Sequence, residues 1–320
     1  MIVATPLFSA LKKQGGVERL AVLCSAVNEE VIRYNPNIDI IKPVNFHRVS
    51  DVLRTTGWLR RQHFDAIIDL TPGFSRTNFI MSRYAGPGIV RAGIEKEYIA
   101  DRYHIHSGGR ETHLADRMLA AGEMLTGRRF SEARAFEIYS ALSDREAAAQ
   151  FIRRCKAGGP IIAINLSAGN EHRQWPYERF AALISGLSKP QVRHQKAHLR
   201  LQMALVAMGE QRTWAEKMAA GNTACVAVPE NSFLTVTEII GSCALLVSPD
   251  TALIHAAAAR GVPVVGLYTA NAENFVRWAP YHVRSSVVRS SSMDTLNGIE
   301  PEQVCRETIR LLEETGAVNP

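Results

Sequence analysis

Short apolar runs alternate with amphipathic segments throughout the second half of the chain, and this alternation limits the folds that it can adopt. Residues 160–169, 201–210, 224–229, 244–249 and 263–268 predict strands, and apolar residues recur at helical spacing in the segments between them. Strands with little polar alternation are typical of a parallel sheet whose two faces are covered by helices. The pattern therefore predicts a doubly wound parallel sheet.

The first half shows the same alternation less regularly. Residues 19–26, 65–70 and 88–94 predict strands, and residues 111–126 predict a long helix that ends at Gly127 as its C-cap. The first half is therefore expected to hold a second α/β domain.

The stretch CKAGGP at residues 155–160 is the expected linker. It gives an N-terminal Rossmann-like domain over residues 1–154 and a C-terminal Rossmann-like domain over residues 160–320. Sheets of this kind place ligands at the carboxyl ends of their strands, here in a cleft between the two domains.

Composition narrows the class of partner. The formal net charge of +6 favours an anionic partner. No uninterrupted apolar run reaches the roughly 18 residues that a membrane span needs. The five scattered cysteines predict reduced cytosolic thiols. The basic run at residues 189–200 predicts a solvated surface loop, and without interleaved aromatic residues it does not indicate a nucleic-acid binder.

Two predicted strand exits carry polar groups that suit a nucleotide. After the first, the backbone N–H groups of Ser167, Ala168 and Gly169 can approach a phosphate, and Arg173 supplies a cation. An ordinary strand-to-helix turn with a surface arginine explains these residues equally well. After the second, Glu210 stands where nucleotide folds bind ribose hydroxyls, although an exposed glutamate near a helix start more often serves the helix dipole.

The third exit is VSPDTALIHAAAARG, residues 247–261. Asp250 or Thr251 can cap the helix that follows. Alternatively, the helix N-terminus and the Thr251 hydroxyl donate to an anion, with His255 one turn further on the same face. A lone histidine in such a helix is more often a core residue, and the alanines at 256–259 allow close packing on the sheet.

Three stretches, NLSAGNEHRQWPYERFAALI, SPDTALIHAAAARGVPVVGLY and ENFVRWAPY, resemble the ADP-heptose:lipopolysaccharide heptosyltransferases of glycosyltransferase family 9. Weaker similarity comes from ATPLFSALKK, FDAIIDL, VRAGI and THLADRML. The resemblance implies the α/β GT-B fold, two Rossmann-like doubly wound domains facing across a cleft. The second domain would bind the ADP-sugar and the first the lipopolysaccharide inner-core acceptor, with inverting transfer and neither metal nor cofactor.

The resemblance also implies roles by position. Asp250 would contact the heptose hydroxyls, and Thr251 with the backbone N–H of Ala252 would hold the diphosphate, supported by His255. Arg173 stands where the family usually has lysine, which exchanges a point charge for a planar fork. Ala252 replaces a frequent glycine, and its methyl group is tolerated only at negative φ.

The family usually opens with a strand that ends in Gly-Asp, whose aspartate is the general base. Here MIVATPLFSALKK matches the helix that follows it, so the first strand and the base are expected to be missing from this sequence. Either the start lies too far downstream or the protein is degenerate. Asp69, at another strand exit, has no motif to support it as a substitute. The last helix is expected to pack back on the N-terminal domain.

The sequence thus predicts a cytoplasmic heptosyltransferase, peripheral on the inner membrane, that takes ADP-heptose or a related nucleotide sugar and an anionic glycolipid acceptor. The alternative is a non-catalytic nucleotide-sugar or glycan-binding protein that has lost its base. A Rossmann oxidoreductase is disfavoured because no G-x-G-x-x-G follows any predicted strand.

Overall fold

A computed structural model of the chain describes residues 1–96, 103–107, 111–131, 135–155, 159–189, 191–193, 197–199 and 201–316. Contacts between residues divide the chain into two compact units, Met1–Tyr139 and Ser140–Pro320. The main sheets of both units are parallel, as the strand–helix alternation predicts.

The first unit has short strands in two separate parallel sheets. Their bounds are β1 (Ala21–Cys24), β2 (Ile40–Pro43), β3 (Ala66–Asp69), β4 (Val90–Ile94) and β5 (Ile105–Ser107). β1 pairs with β2, and β4 lies between β3 and β5. Among the described residues no strand joins β1 to β3.

Helices cover these strands. Their bounds are α1 (Thr5–Lys13), α2 (Ala26–Ile32), α3 (Val49–Gln62), α4 (Arg76–Tyr84) and α5 (Leu114–Thr126). α1 packs against α5. As predicted, α5 ends at Gly127, whose φ of 66° lies in the left-handed region that glycine adopts without strain.

α3 and α4 pack side by side on the strands of the first unit. Leu59 of α3 and Met81 of α4 belong to one buried cluster, and Leu23 of β1 and Ile67 of β3 pack against it. The same pair of helices therefore covers both sheets of this unit.

The second unit is built on a six-stranded parallel sheet with the order β10-β9-β6-β11-β12-β13. Its strands are β6 (Ile161–Asn165), β9 (Gln202–Val206), β10 (Cys225–Ala227), β11 (Leu245–Pro249), β12 (Val264–Tyr268) and β13 (Ser285–Arg289). All residues of β11 and β12 are buried, as expected for strands with helices on both faces. The predicted doubly wound sheet is confirmed.

The order of this sheet reverses beside β6. The chain runs outward from β6 to β9 and β10, and then returns to place β11 on the other side of β6. The carboxyl ends of β6 and β11 therefore flank a topological switch point, where open α/β sheets bind their ligands.

Seven helices of the described residues accompany the second unit. Their bounds are α6 (Leu142–Arg154), α7 (Tyr177–Ser188), α8 (Arg212–Gly221), α9 (Phe233–Gly241), α10 (Ala252–Ala259), α11 (Ala272–Trp278) and α12 (Pro301–Glu314). The last helix, α12, packs against α7 and β13 of its own unit, and its predicted packing on the N-terminal domain stays a prediction.

α6 belongs to the second unit, so the division of the chain lies before this helix and not in the expected linker at 155–160. The reason is its packing on α9. Asp144 of α6 accepts hydrogen bonds from the hydroxyls of Ser232 and Thr235, both at 2.8 Å, at the start of α9. Residues 156–158 of the expected linker lie outside the described residues.

The basic run at 189–200 contains regular structure that its composition did not predict. Its described residues form two short antiparallel strands, β7 (Gln191–Arg193) and β8 (Ala197–Leu199). Charge counts carry no information on local backbone pairing, which is why the hairpin was missed.

The five cysteines are unpaired, and four of them are buried. Burial raises the pKa of Cys225 to about 12. Thiols in such surroundings stay protonated and unreactive at neutral pH, so they fill the core.

Candidate functional site

A buried asparagine joins the two strands at the switch point. Asn165, the last residue of β6, donates from Nδ2 to the hydroxyls of Ser248 and Thr251, at 3.0 and 3.1 Å. Its Oδ1 accepts from the backbone N–H of Ser167 at 3.1 Å. The strand exits after β6 and β11 are therefore held in register by one side chain. The sequence analysis did not select Asn165, although it is the first polar residue after an apolar strand.

Thr251 caps α10, which confirms the capping role that was the simpler of its two predicted roles. Its Oγ1 accepts from the backbone N–H of Leu253 at 3.3 Å. The Ser248 hydroxyl donates to the carbonyl of Pro249 at 2.7 Å and lies 3.2 Å from the Thr251 hydroxyl. The predicted role of the Thr251 hydroxyl as a donor to an anion stays a prediction.

Ala252 is the residue at this helix start that can bind an anion. The N–H of Leu253 is taken by Thr251 Oγ1, and the N–H of Ile254 by the carbonyl of Thr251 at 3.1 Å. Among the described residues nothing accepts from the N–H of Ala252, whose side chain is exposed. Ala252 is also not among the described residues with positive φ, so its methyl group is tolerated in place of glycine.

Arg173 and Asp250 form an ion pair across the switch point. Nη1 of Arg173 lies 3.1 Å from Oδ2 of Asp250 and 3.1 Å from its carbonyl oxygen. Asn274 of α11 donates to the same Oδ2 at 2.9 Å. Asp250 is 5% exposed, whereas the Arg173 side chain is 35% exposed.

This geometry leaves defined groups for a ligand. Among the described residues no donor reaches Oδ1 of Asp250, and Arg173 bonds only through Nη1. A carboxylate oxygen and the remaining guanidinium N–H groups are therefore available side by side. They match a sugar hydroxyl and a phosphate respectively.

Tyr268 and His255 are both buried and both contact Trp278. The Tyr268 hydroxyl donates to the carbonyl of Trp278 at 3.1 Å. Burial, followed by the charge of Asp250, raises the pKa of Tyr268 well above its usual value, so it remains a neutral donor. His255 is 6% exposed and its ring centroid lies 5.9 Å from that of Trp278. The predicted support of the loop by His255 stays a prediction.

An open cavity of about 430 Å³ adjoins the ion pair, within the range of small-ligand sites. Amide, hydroxyl, imidazole and charged side chains dominate its lining, with two larger apolar groups. The lining residues are Asn170, His172, Arg173, Thr269, Asn271, Asn274, Trp278, Met293 and Asp294. The sequence analysis selected only Arg173 among them, although Asn274 and Trp278 lie in the ENFVRWAPY stretch.

Two of the three backbone N–H groups expected to cradle a phosphate are already used. The N–H of Ser167 bonds to Asn165, and the N–H of Ala168 bonds to Oε1 of Gln174 at 3.0 Å. The Ser167 hydroxyl accepts from the N–H of Met208 at 2.7 Å and so links the exits of β6 and β9. The N–H groups of Ser167 and Ala168 are therefore not free to bind a phosphate, contrary to the expectation. Gly169 has open space around it, and its predicted contact with a phosphate stays a prediction.

Glu210 lies apart from the residues that line the cavity. It is exposed in the 3-10 turn Gly209–Gln211 before α8, where Gly209 has a φ of 57°. Its proposed contact with a ribose therefore stays a prediction.

Asp69 is not available as a substitute general base. Its Oδ2 lies 2.9 Å from Nζ of Lys96 and accepts from the Tyr103 hydroxyl at 2.8 Å. Its Oδ1 accepts from the N–H of Thr71 at 3.0 Å and from Asn78 Nδ2 at 2.9 Å. A carboxylate with four donors and 6% exposure is a buried anchor that cannot approach a substrate.

The family model of glycosyltransferase family 9 (heptosyltransferase) matches residues 52–305. The chain belongs to glycosyltransferase family 9. No curated protein sequence matches it. The match to the family model places this protein among the glycosyltransferases.

Solved structures show the fold of this family 9 chain. A glycosyl transferase family 9 protein from Veillonella parvula is 18% identical, with 98% of this chain and 93% of that chain covered and a TM-score of 0.80. ADP-heptose lps heptosyltransferase II from E. coli is 16% identical, with coverages of 98% and 95% and a TM-score of 0.72. E. coli heptosyltransferase WaaC, solved with ADP, is 16% identical, with coverages of 99% and 94% and a TM-score of 0.71. The GT-B class that the resemblance implies is confirmed.

The described part of this family 9 chain shows neither a cluster of metal ligands nor a membrane-spanning helix. No group of three or more His, Cys, Asp or Glu side chains there could hold a metal ion. In the same residues, no helix combines the length and apolar character of a membrane span.

Proposed function

We propose that this chain transfers a heptose, or a related sugar, from an ADP-sugar to the inner core of lipopolysaccharide, with inversion and without a metal. The observation that carries the proposal is the Arg173–Asp250 pair at the switch point, beside a polar cavity of about 430 Å³. Membership of family 9 and the ADP in the WaaC structure support an adenine nucleotide as the carrier.

The sugar would lie in the cavity next to Asp250. Oδ1 of Asp250 accepts a sugar hydroxyl, while Arg173 and Asn274 hold Oδ2 and so fix the carboxylate. The amides of Asn271 and Asn274 and the hydroxyl of Thr269 supply further donors and acceptors of the kind that polyols need. A carboxylate held from one side presents its other oxygen in a defined direction.

The diphosphate would lie between Arg173 and the start of α10. The remaining guanidinium N–H groups and the N–H of Ala252 donate to the phosphate oxygen that carries the developing charge as the sugar–phosphate bond breaks. The positive end of the α10 dipole adds to this field. The acceptor oxygen bonds to C1 from the opposite face, its proton passes to a base, and ADP departs. We assign that base to no described residue, because Asp69 is buried and paired.

The acceptor in this proposal is an anionic glycolipid at the cytoplasmic face of the inner membrane. The net charge of +6 supports an anionic partner. The acceptor's lipid anchor requires the enzyme to work at the membrane surface.

Replacing Arg173 with alanine is expected to weaken ADP-heptose binding about 10- to 100-fold, because one charge-assisted hydrogen bond contributes about 1.5–3 kcal/mol. Arg173→Lys keeps the positive charge but loses the planar set of guanidinium N–H donors. A smaller loss of affinity than in Arg173→Ala is therefore expected. Isothermal titration calorimetry measures both. Arg153→Ala removes an exposed arginine of α6 and serves as the matched control. Equal affinity in Arg173→Ala and the parent protein contradicts the phosphate role.

Transfer assays separate this proposal from its alternative, a nucleotide-sugar binding protein without turnover. One observation favours the alternative, since Asp69 is fully paired and cannot act as a base. Donor binding with sugar transfer to a lipopolysaccharide core acceptor supports the enzyme. Donor binding without turnover supports the alternative, and absence of donor binding contradicts both.

A further inference from the structure

The outward face of α4 combines arginines with apolar side chains. Arg76, Ile80, Arg83 and Tyr84 are exposed, and their spacing of four, seven and eight residues from Arg76 puts them on one stripe. Ile80 is 42% exposed and Tyr84 is 58% exposed. The inward residues Met81 and Ser82 are buried, so the helix is packed on one side only.

α3 presents the same combination. Val49 is 73% exposed and Leu53 is 63% exposed, although both are apolar. The arginines at 54, 60 and 61 are exposed on the same helix. α3 packs beside α4 over one buried cluster, so the outward sides of the two helices form a single surface. We call it the α3–α4 surface.

The charge of the α3–α4 surface is strongly one-sided. Residues 45–88 contain six arginines, all of them exposed: Arg48, Arg54, Arg60, Arg61, Arg76 and Arg83. The acids of the segment are Asp51, Asp65 and Asp69. Asp51 pairs with Arg54, and Asp69 is buried against Lys96. Asp65 is the one acid of the segment that is exposed, so the surface is positive.

Folding alone does not explain this arrangement. The exposed apolar side chains lie on the solvent side of helices whose opposite sides make the core. A helix with arginines and apolar residues on its outer face is typical of one that lies in the interface of an anionic bilayer. There the apolar groups enter the headgroup region and each arginine is drawn to lipid phosphates.

We propose that the α3–α4 surface docks this protein onto a bilayer containing anionic phospholipid. The aliphatic side chains of Val49, Leu53 and Ile80 and the ring of Tyr84 enter the headgroup layer. The arginines around them bind lipid phosphate groups. The inference rests on the proposed function in one respect, because that function places the protein at a membrane. Docking itself requires neither the sugar donor nor the acceptor.

Sedimentation with lipid vesicles tests the docking. The full-length protein is expected to sediment with vesicles of phosphatidylglycerol and phosphatidylcholine, and much less with phosphatidylcholine alone. Arg76→Ser combined with Arg83→Ser is expected to lower the partition coefficient about 25-fold, at about fivefold for each charge. Ile80→Ser combined with Tyr84→Ser is expected to weaken binding to the anionic vesicles as well.

A matched pair on another helix controls for the loss of charge. Arg145→Ser combined with Arg153→Ser removes two exposed arginines from α6 in the second unit, and is expected to leave vesicle binding within about twofold of the parent. Thermal melting followed by circular dichroism checks that every variant is folded. All four α4 positions are exposed, so their replacement is expected to leave the melting temperature unchanged.

Three results overturn the inference: no binding of the parent to anionic vesicles, equal binding to neutral vesicles, or equal loss in the α6 and α4 arginine pairs. Calorimetry with ADP-heptose on the same samples distinguishes this failure from failure of the proposed function. Loss of vesicle binding with unchanged affinity for ADP-heptose contradicts only the proposed docking surface. Vesicle binding by a protein that does not bind ADP-heptose contradicts only the proposed function.

Discussion

Replacing Asp250 with alanine is expected to reduce the affinity for ADP-heptose by roughly 100-fold, the largest effect of any single change in the second unit. The substitution removes the acceptor for a sugar hydroxyl. It also removes the partner that holds Nη1 of Arg173 at 3.1 Å, so the guanidinium is no longer fixed toward the diphosphate. The change therefore affects the contact with the sugar and the contact with the diphosphate. Calorimetry with ADP-heptose measures both effects together, and calorimetry with ADP alone measures the second.

Matched variants make the Asp250 result specific. Asp294→Ala removes an exposed acid at the rim of the same cavity and is expected to change affinity by no more than about threefold. Asn274→Ala leaves the Arg173–Asp250 pair in place but frees the carboxylate on one side, so a loss of about tenfold is expected. A folded Asp250→Ala protein with the parent's donor affinity shows that the sugar binds elsewhere.

Asp69→Ala is expected to lower the free energy of unfolding by about 3–5 kcal/mol, the largest stability effect of any substitution proposed for this chain. Lys96 has a fully buried side chain, and removing its carboxylate partner leaves an ammonium group whose remaining contacts are two backbone carbonyls and the ring of Tyr103. Burial and the charge of Asp69 raise the pKa of Tyr103, whose hydroxyl donor also loses its acceptor. Urea denaturation followed by circular dichroism measures the shift of the midpoint.

The control for this change lies at the other end of the same strand. Asp65 is exposed, and Asp65→Ala is expected to alter the free energy of unfolding by less than about 0.5 kcal/mol. The double change Asp69→Leu with Lys96→Met replaces both charges with apolar groups and is expected to recover most of the stability. Similar midpoints for Asp69→Ala and Asp65→Ala contradict the role of Asp69 as a buried anchor.

Periodicity in the sequence predicted five of the six strands in the main sheet of the second unit. The predicted runs at 244–249 and 263–268 contain the buried strands β11 and β12, whose helices on both faces leave no polar alternation. The edge strand β13, the strands β2 and β5 of the first unit and the β7–β8 hairpin were missed. The three-residue strands offer too few residues for a period to be recognised, and the pairing of edge strands depends on neighbours that are distant in the chain.

The candidate site was predictable in its charged residues and not in their partners. Arg173 and Asp250 follow β6 and β11, which are neighbours in the sheet on either side of the switch point, so the topology alone brings them together. Asn274 lies 24 residues after the carboxylate that it holds, on a helix that no motif linked to it. Local side chains also took groups that the sequence left open, because Gln174 reaches back to the N–H of Ala168. Which side chain binds such a backbone N–H group depends on the rotamers in the folded protein. The spacing of residues in the sequence does not predict it.

The attachment of α6 to α9 determines where the second unit can be separated from the rest of the chain. A fragment that starts at Pro160, as the apolar pattern suggests, leaves α9 without the packing of α6 and without the carboxylate of Asp144 that binds the hydroxyls at its first turn. Its exposed apolar side is then a surface for aggregation. A fragment that starts at Ser140 keeps this helix pair intact, and protein engineers who exchange donor halves between related enzymes should cut there.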